Sequence, residues 1–296
     1  MALSLRGMRM STLPDELAQR PELSRLLSLN LSRNQLFNSF HVFGIVTALD
    51  NLKSLDLSSN FLHGPLSDDA VNLTNLESLK LDDNQISALP ERLGAWPQMR
   101  EFSVANNQLV KLPDSCGEWP LVESVNLRKN KLVLLPPTVG NWTGLRRLWL
   151  SGNMLSTVPP EMGHMTSLEE LDISHNQLGE IPTEFKNMTQ LTALHLGHNA
   201  LKEFPAEIFE TVTGESYLRR LLFSAHCARF RPISTLASCV RYRTDATERR
   251  RGHPPSVPAP ASPRANALKH RSVGAQLEMS HRSRLTTTCL LPPPQA

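Results

Sequence analysis

From Leu26 to Leu201 one order of apolar and polar positions recurs along the chain. It reads LxxLxLxxNxL at 26–36 (LLSLNLSRNQL), 52–62 (LKSLDLSSNFL), 76–86 (LESLKLDDNQI) and 99–109 (MREFSVANNQL). It returns at 122–132 (VESVNLRKNKL), 145–155 (LRRLWLSGNML), 168–178 (LEELDISHNQL) and 191–201 (LTALHLGHNAL). Counted from its first residue, positions 1, 4, 6 and 11 are apolar and position 9 is asparagine. Side chains alternate along a strand, so the leucines at 4 and 6 point one way and positions 3, 5 and 7 the other. One such strand cannot bury its own apolar side, and its neighbours must stack on it.

From residue 76 the copies begin 23 residues apart. Most are followed by a proline-led segment, as in LPERLG at 89, LPPTVG at 135, VPPEMG at 158 and IPTEFK at 181, which returns the chain on the opposite side. The position-9 column is Asn34, Asn60, Asn84, Asn107, Asn130, Asn153, Asn176 and Asn199. An amide there can turn inward and bond backbone groups that would otherwise be buried unpaired, at about 1–3 kcal/mol each. These eight are structural residues.

Such residues resemble the leucine-rich-repeat family over roughly residues 2–228. The 23-residue form is similar to intracellular Ras-linked scaffolds of the densin and erbin type and to plant Ras-group repeat proteins. The implied fold is an α/β solenoid, a curved right-handed coil. It carries a parallel concave sheet and a convex side of irregular, 3-10 or short helical segments.

The expected organisation is a solenoid over 1–228, with about nine strands and a partial first repeat, then a degenerate cap at 229–243. A disordered basic tail over 244–296 completes it. A ninth strand is expected from Leu218 (LRRLLFSAHCA), where His226 replaces asparagine. At the other end Met8 stands in the asparagine slot, so the chain opens inside a coil and is expected to be a piece or alternative product of a longer repeat protein. Residues 224–296 hold 12 Lys and Arg against 3 Asp and Glu, within a chain of 296 residues and net charge +3. Proline, serine and arginine without apolar periodicity cannot offset the entropy of ordering. Arg249, Arg250 and Arg251 have no interleaved aromatics, and no nucleic-acid partner is expected.

No apolar run approaches the roughly 18 residues of a membrane span, and the N-terminus does not read as a signal peptide. The four cysteines (Cys116, Cys227, Cys239, Cys289) show neither CxxC pairing nor clustering. A cytoplasmic location follows as the expectation, against which stand sequons at Asn30, Asn72, Asn141 and Asn187. Phosphate-loop, nucleophile-elbow, zincin and kinase signatures are missing, and Cys116 has no histidine near it in the repeat frame. His175, His195 and His198 lack a completing ligand set, which favours ordinary turn residues over a metal site. Neither an enzyme, a cofactor, a metal nor a small-molecule substrate is expected.

What remains is the inner face. Its position-5 column reads Asn30, Asp56, Lys80, Ser103, Asn126, Trp149, Asp172, His195, with Trp149 the sole aromatic. Arg147 shares its strand, Arg128 and Lys129 precede it, and Glu170, Asp172 and His175 follow. Trp and Arg dominate interface hot spots, so the favoured partner site is Arg128, Arg147, Trp149, Glu170, Asp172, His175 and His195. The alternative is a tryptophan lying over a guanidinium stem as packing. The favoured function is a non-catalytic protein-interaction scaffold. The resemblance points to a small GTPase or another signalling protein as partner. Two other readings stay open: the repeat region of a larger kinase, cyclase or GTPase, and an immune- or receptor-type repeat protein, toward which NFLHGPL at 60–66 leans.

Overall fold

The computed structural model describes residues 1–202. The strand expected from Leu218, the cap at 229–243 and the tail from 244 lie outside the described residues. Among the described residues nine short parallel strands form one open sheet in chain order: β1 (Ala2–Ser4), β2 (Ser28–Asn30), β3 (Ser54–Asp56), β5 (Ser78–Lys80), β7 (Glu101–Ser103), β8 (Ser124–Asn126), β9 (Arg147–Trp149), β10 (Glu170–Asp172) and β11 (Ala193–His195). Strand β1 comes from the partial first repeat and the other eight from the eight copies. Register follows the repeat, because position 4 stacks on position 4 throughout, from Leu3 on Leu29 to Leu171 on Leu194.

Repeat length sets what fills the convex side. The 23-residue repeats use single 3-10 turns, including Asp114–Glu118, Pro137–Asn141, Pro160–His164 and Thr183–Asn187. The longer step from Leu26 to Leu52 holds a two-turn helix, α2 (Ser39–Val46), preceded in the chain by α1 (Glu16–Gln19). Asn38 caps α2 by accepting from the Phe40 and His41 amides, as helix N-caps do. NFLHGPL contributes β4 (His63–Pro65), which pairs in parallel with β6 (Gln85–Ala88) in a second, two-stranded sheet.

The interior holds the leucine columns and a tryptophan column outside the eleven-position frame. Trp96, Trp119 and Trp142 are at most 1% exposed, and stack at 6.2 and 5.9 Å between ring centroids. Each indole N–H donates to a carbonyl in the preceding repeat, Ala70, Leu93 and Cys116 respectively, at 3.1, 2.9 and 2.8 Å. Beside them a Cβ on Gly117, Gly140 or Gly163 would overlap the carbonyl oxygen of Thr138, Glu161 or Glu184 in the next repeat. Glycine is what lets adjacent 3-10 turns approach so closely.

All eight ladder asparagines make one set of bonds. Each Nδ2 donates to the position-6 carbonyl of its own repeat and of the one before, as Asn130 does to Leu127 at 3.1 Å and Val104 at 2.9 Å. Each Oδ1 accepts the position-11 amide of the preceding repeat, Leu109 in the case of Asn130. Position 8, just before the asparagine, is left-handed in every repeat, with φ between 52° and 73° from Gly7 to His198. Met8, in the unmatched first slot, is 63% exposed. Among the described residues no helix is long and apolar enough to cross a membrane.

Candidate functional site

Parallel register sets Asn126, Trp149, Asp172 and His195 side by side on the inner face, at position 5 of β8 to β11. Strands about 4.8 Å apart bring any large side chain in this column against both neighbours. Trp149 is therefore half-buried rather than turned freely to water. Its indole N–H donates to Glu170 Oε1 at 2.8 Å, and the Arg128 and Arg147 guanidinium carbons lie 5.2 and 5.9 Å from its ring centroid. Both distances fall within cation–π reach.

Arg128 spans two repeats, crossing the tryptophan to pair with Asp172 Oδ2 at 2.8 Å. Asp172 is 8% exposed. Burial pushes its carboxyl up, but the Ser174 hydroxyl, Arg128, the Ser174 amide and the Ser151 hydroxyl outweigh that and hold it below the usual carboxylate value. Arg128, Arg147, Trp149, Glu170 and Asp172 thus form one contact network. His175 stands apart, exposed at a position-8 corner, with its ring stacked on His198 at 4.0 Å and 15°. His195 is half-buried on the strand after Asp172. Among the described residues no group of three or more His, Cys, Asp or Glu is placed to hold a metal ion.

The other end of the inner face is built differently. Ser28, Ser54 and Ser78 pave position 3, and Asp56, Asp82, Asp83 and Glu101 supply acid. Burial raises the Asp82 carboxyl above its ordinary value, although the Ser103 hydroxyl and Ala105 amide donate to it at 2.5 and 2.7 Å. Along position 2, Lys53–Glu77, Arg100–Glu123 and Arg146–Glu169 pair at 2.7, 2.6 and 3.1 Å. That alternation of charge and the tryptophan column escaped sequence reasoning, although both recur at the repeat spacing. Cys116 is a buried free thiol pushed up to about 12 by burial and by Asp114 beside it, which disfavours the thiolate a nucleophile needs. Of the sequons, Asn72, Asn141 and Asn187 end exposed convex turns, whereas Asn30 lies on β2 with its Oδ1 accepting from Ser32.

The stacked strands and the asparagine ladder are those of a leucine-rich-repeat fold. The profile described as "Leucine rich repeat" matches residues 120–178 and 143–201, and a second, "Leucine Rich Repeat", matches 51–73. No curated protein matches the sequence. Among solved structures, the chain is similar to the leucine-rich-repeat ectodomain of the membrane receptor kinase GASSHO1/SCHENGEN3 of Arabidopsis thaliana, in complex with CASPARIAN STRIP INTEGRITY FACTOR 2. The identity is 28% over 68% of this chain and 24% of that one, at a TM-score of 0.60. A leucine-rich-repeat protein of Leptospira interrogans is 26% identical over 70% of this chain and 62% of that one, at a TM-score of 0.51. The plant peptide hormone receptor RGFR1, in complex with RGF2, shares the fold at 24% identity and a TM-score of 0.56, over 75% and 39% of the two chains. The chain spans less than two thirds of each of these proteins.

Proposed function

We propose that this chain is a non-catalytic protein-interaction platform in intracellular signalling, docking one segment of a partner protein across Trp149 on the inner face. The observation that carries the reading is the Trp149 cluster. The repeat requires neither an indole nor two guanidinium groups there, whereas an arginine-flanked, half-open tryptophan is what protein interfaces use as an anchor. A small GTPase or another signalling protein is the partner class, and the cytoplasm the working compartment. The eight spacings between nine strands, at about 4.8 Å each, span about 38 Å, enough for a partner footprint of about 800 Å².

The test is co-precipitation from native lysate with the wild-type chain and the Trp149→Ala variant side by side. A partner held by the first and released by the second is the expected result, and equal retention by both would refute the reading.

A receptor-type reading is favoured by a separate observation. NFLHGPL supplies β4 of the β4–β6 sheet, and the structural neighbour at 28% identity is the ectodomain of a plant membrane receptor kinase. A mobility shift of the native protein on glycosidase treatment would establish a secretory origin; an unchanged mobility would reject it.

A further inference from the structure

Past the ladder asparagine the chain runs along one flank of the coil before it reaches the convex side. From Gln35 to Gln177 the amide at position 10 donates to the position-11 carbonyl of the preceding repeat, as Phe61 does to Leu36 and Met154 to Leu132, at 2.8–2.9 Å throughout. Position 11 is buried, so positions 10 and 12 on either side of it face outward and line up as columns.

Six of the eleven exposed large apolar residues among the described residues stand at positions 10, 12 and 13 of these repeats. They are Phe37, Phe61, Val110, Val133, Leu134 and Met154, each at least 44% exposed. Phe37 stacks on His63 of the next repeat, with ring centroids 6.4 Å apart and planes 9° from parallel. The charged residues at these positions have one sign. Between residues 9 and 157 they are Arg9, Lys111 and Lys131, with no Asp or Glu. Lys111 pairs with Glu91 at 2.8 Å, whereas Arg9 and Lys131 have no carboxylate within ion-pair distance among the described residues. At the bordering position 8, Asp83 accepts from Asn106 at 2.8 Å.

We propose that this flank is a peripheral membrane face. Phe37, Phe61 and the aliphatic side chains sit at the acyl boundary of an anionic lipid leaflet, and Arg9 and Lys131 meet its headgroups. From Phe37 to Met154 the apolar columns cross five repeat spacings, about 24 Å at about 4.8 Å each. A lipid surface asks for apolar side chains and cations without directional partners, which is what this flank offers. A protein strand added along it would find the position-10 amides already bonded to the preceding repeat. The flank also differs from the Trp149 cluster, where side-chain hydrogen bonds fix the aromatic ring. Membrane contact here leaves Trp149 open to a partner, since position 5 lies on the inner face.

The test is co-sedimentation of the full chain with phosphatidylcholine vesicles containing about one third phosphatidylserine, and with vesicles of phosphatidylcholine alone. The mixed vesicles should hold the chain about tenfold more tightly. Phe37→Ser with Phe61→Ser should weaken that binding about tenfold through lost apolar burial. Arg9→Glu with Lys131→Glu should weaken it about tenfold through reversed charge. Trp149→Ala should bind the vesicles as the wild type does. Circular dichroism checks that each variant folds; if the phenylalanine pair does not, Val133→Ser with Leu134→Ser replaces it, with an expected loss of about fivefold.

Equal binding to the two kinds of vesicle would overturn the inference, as would no binding to either. Mixed-vesicle binding that survives every flank variant would also overturn it, assigning the contact to the basic residues of 224–296. Capture of a protein through Phe37 and Phe61, with vesicles left unbound, would make the flank a protein-docking surface instead.

Discussion

Trp96, Trp119 and Trp142 donate to backbone carbonyls inside the solenoid, whereas Trp149 donates to the side chain of Glu170 on its open face. The first three stack on one another at 23-residue spacing and are sealed from water. The fourth touches no other tryptophan and is held by two guanidinium groups and a carboxylate. A carbonyl one repeat back is present in any solenoid of this period, so the internal indoles satisfy the fold itself. Glu170, Arg128 and Arg147 are choices peculiar to this stretch, and stacking alone does not demand them.

Truncating the column should therefore hurt folding most. Trp119→Ala removes a fully buried ring with two stacked neighbours, and should cost about 3–5 kcal/mol in denaturant unfolding. A cost no larger than that of Trp149→Ala would erase the distinction between the two faces.

Asn130→Ala comes next. It strips the Val104 and Leu127 carbonyls and the Leu109 amide of their shared partner, at about 2–3 kcal/mol. On the open face Arg128→Ala should cost about 1–2 kcal/mol, because it leaves the buried Asp172 carboxylate without its cation.

Acid sharpens the contrast between the two ends of the inner face. Asp172 is held below its unfolded value of about 3.9, so its contribution is present above that pH and fades as pH falls through its lower, folded value. Asp82 is raised, so its contribution has the opposite sign: full below the unfolded value, and lost as pH rises through the folded one. In thermal melts between about pH 2 and pH 7, Asp172→Asn should lose acid sensitivity, and Asp82→Asn should gain stability relative to wild type as pH rises. Identical profiles for the two variants would contradict this assignment. Smallest of all, Lys53→Ala should change stability by about 0.5 kcal/mol or less, since its pair with Glu77 is exposed.

Much of this architecture can be read from residue order alone. LxxLxLxxNxL specifies the strand, its inward face and the asparagine bonds, because each depends on local geometry repeated at a fixed period. The convex side was less legible, since its apolar positions vary among Leu73, Trp96, Trp119, Trp142, Met165 and Met188, and only the spacing unites them. Spacing in sequence also understated how far side chains reach. Arg128 and Asp172 are 44 residues apart, yet they meet over Trp149 because an arginine can cross one repeat. Adjacent strands in the sequence pattern place His175 beside the tryptophan, and the structure stacks it on His198 at the edge instead.

The central claim is that a partner covers Trp149, and oxidative footprinting of the full chain read by mass spectrometry tests it directly. In the free chain Trp149 should be the tryptophan that oxidises, with Trp96, Trp119 and Trp142 protected by burial. On saturation with the captured partner its oxidation should fall about tenfold or more, as for a fully desolvated anchor, while exposed convex residues such as Phe40 on α2 stay unchanged. Unchanged oxidation of Trp149 in the complex, with protection moved to the convex side, would contradict the account.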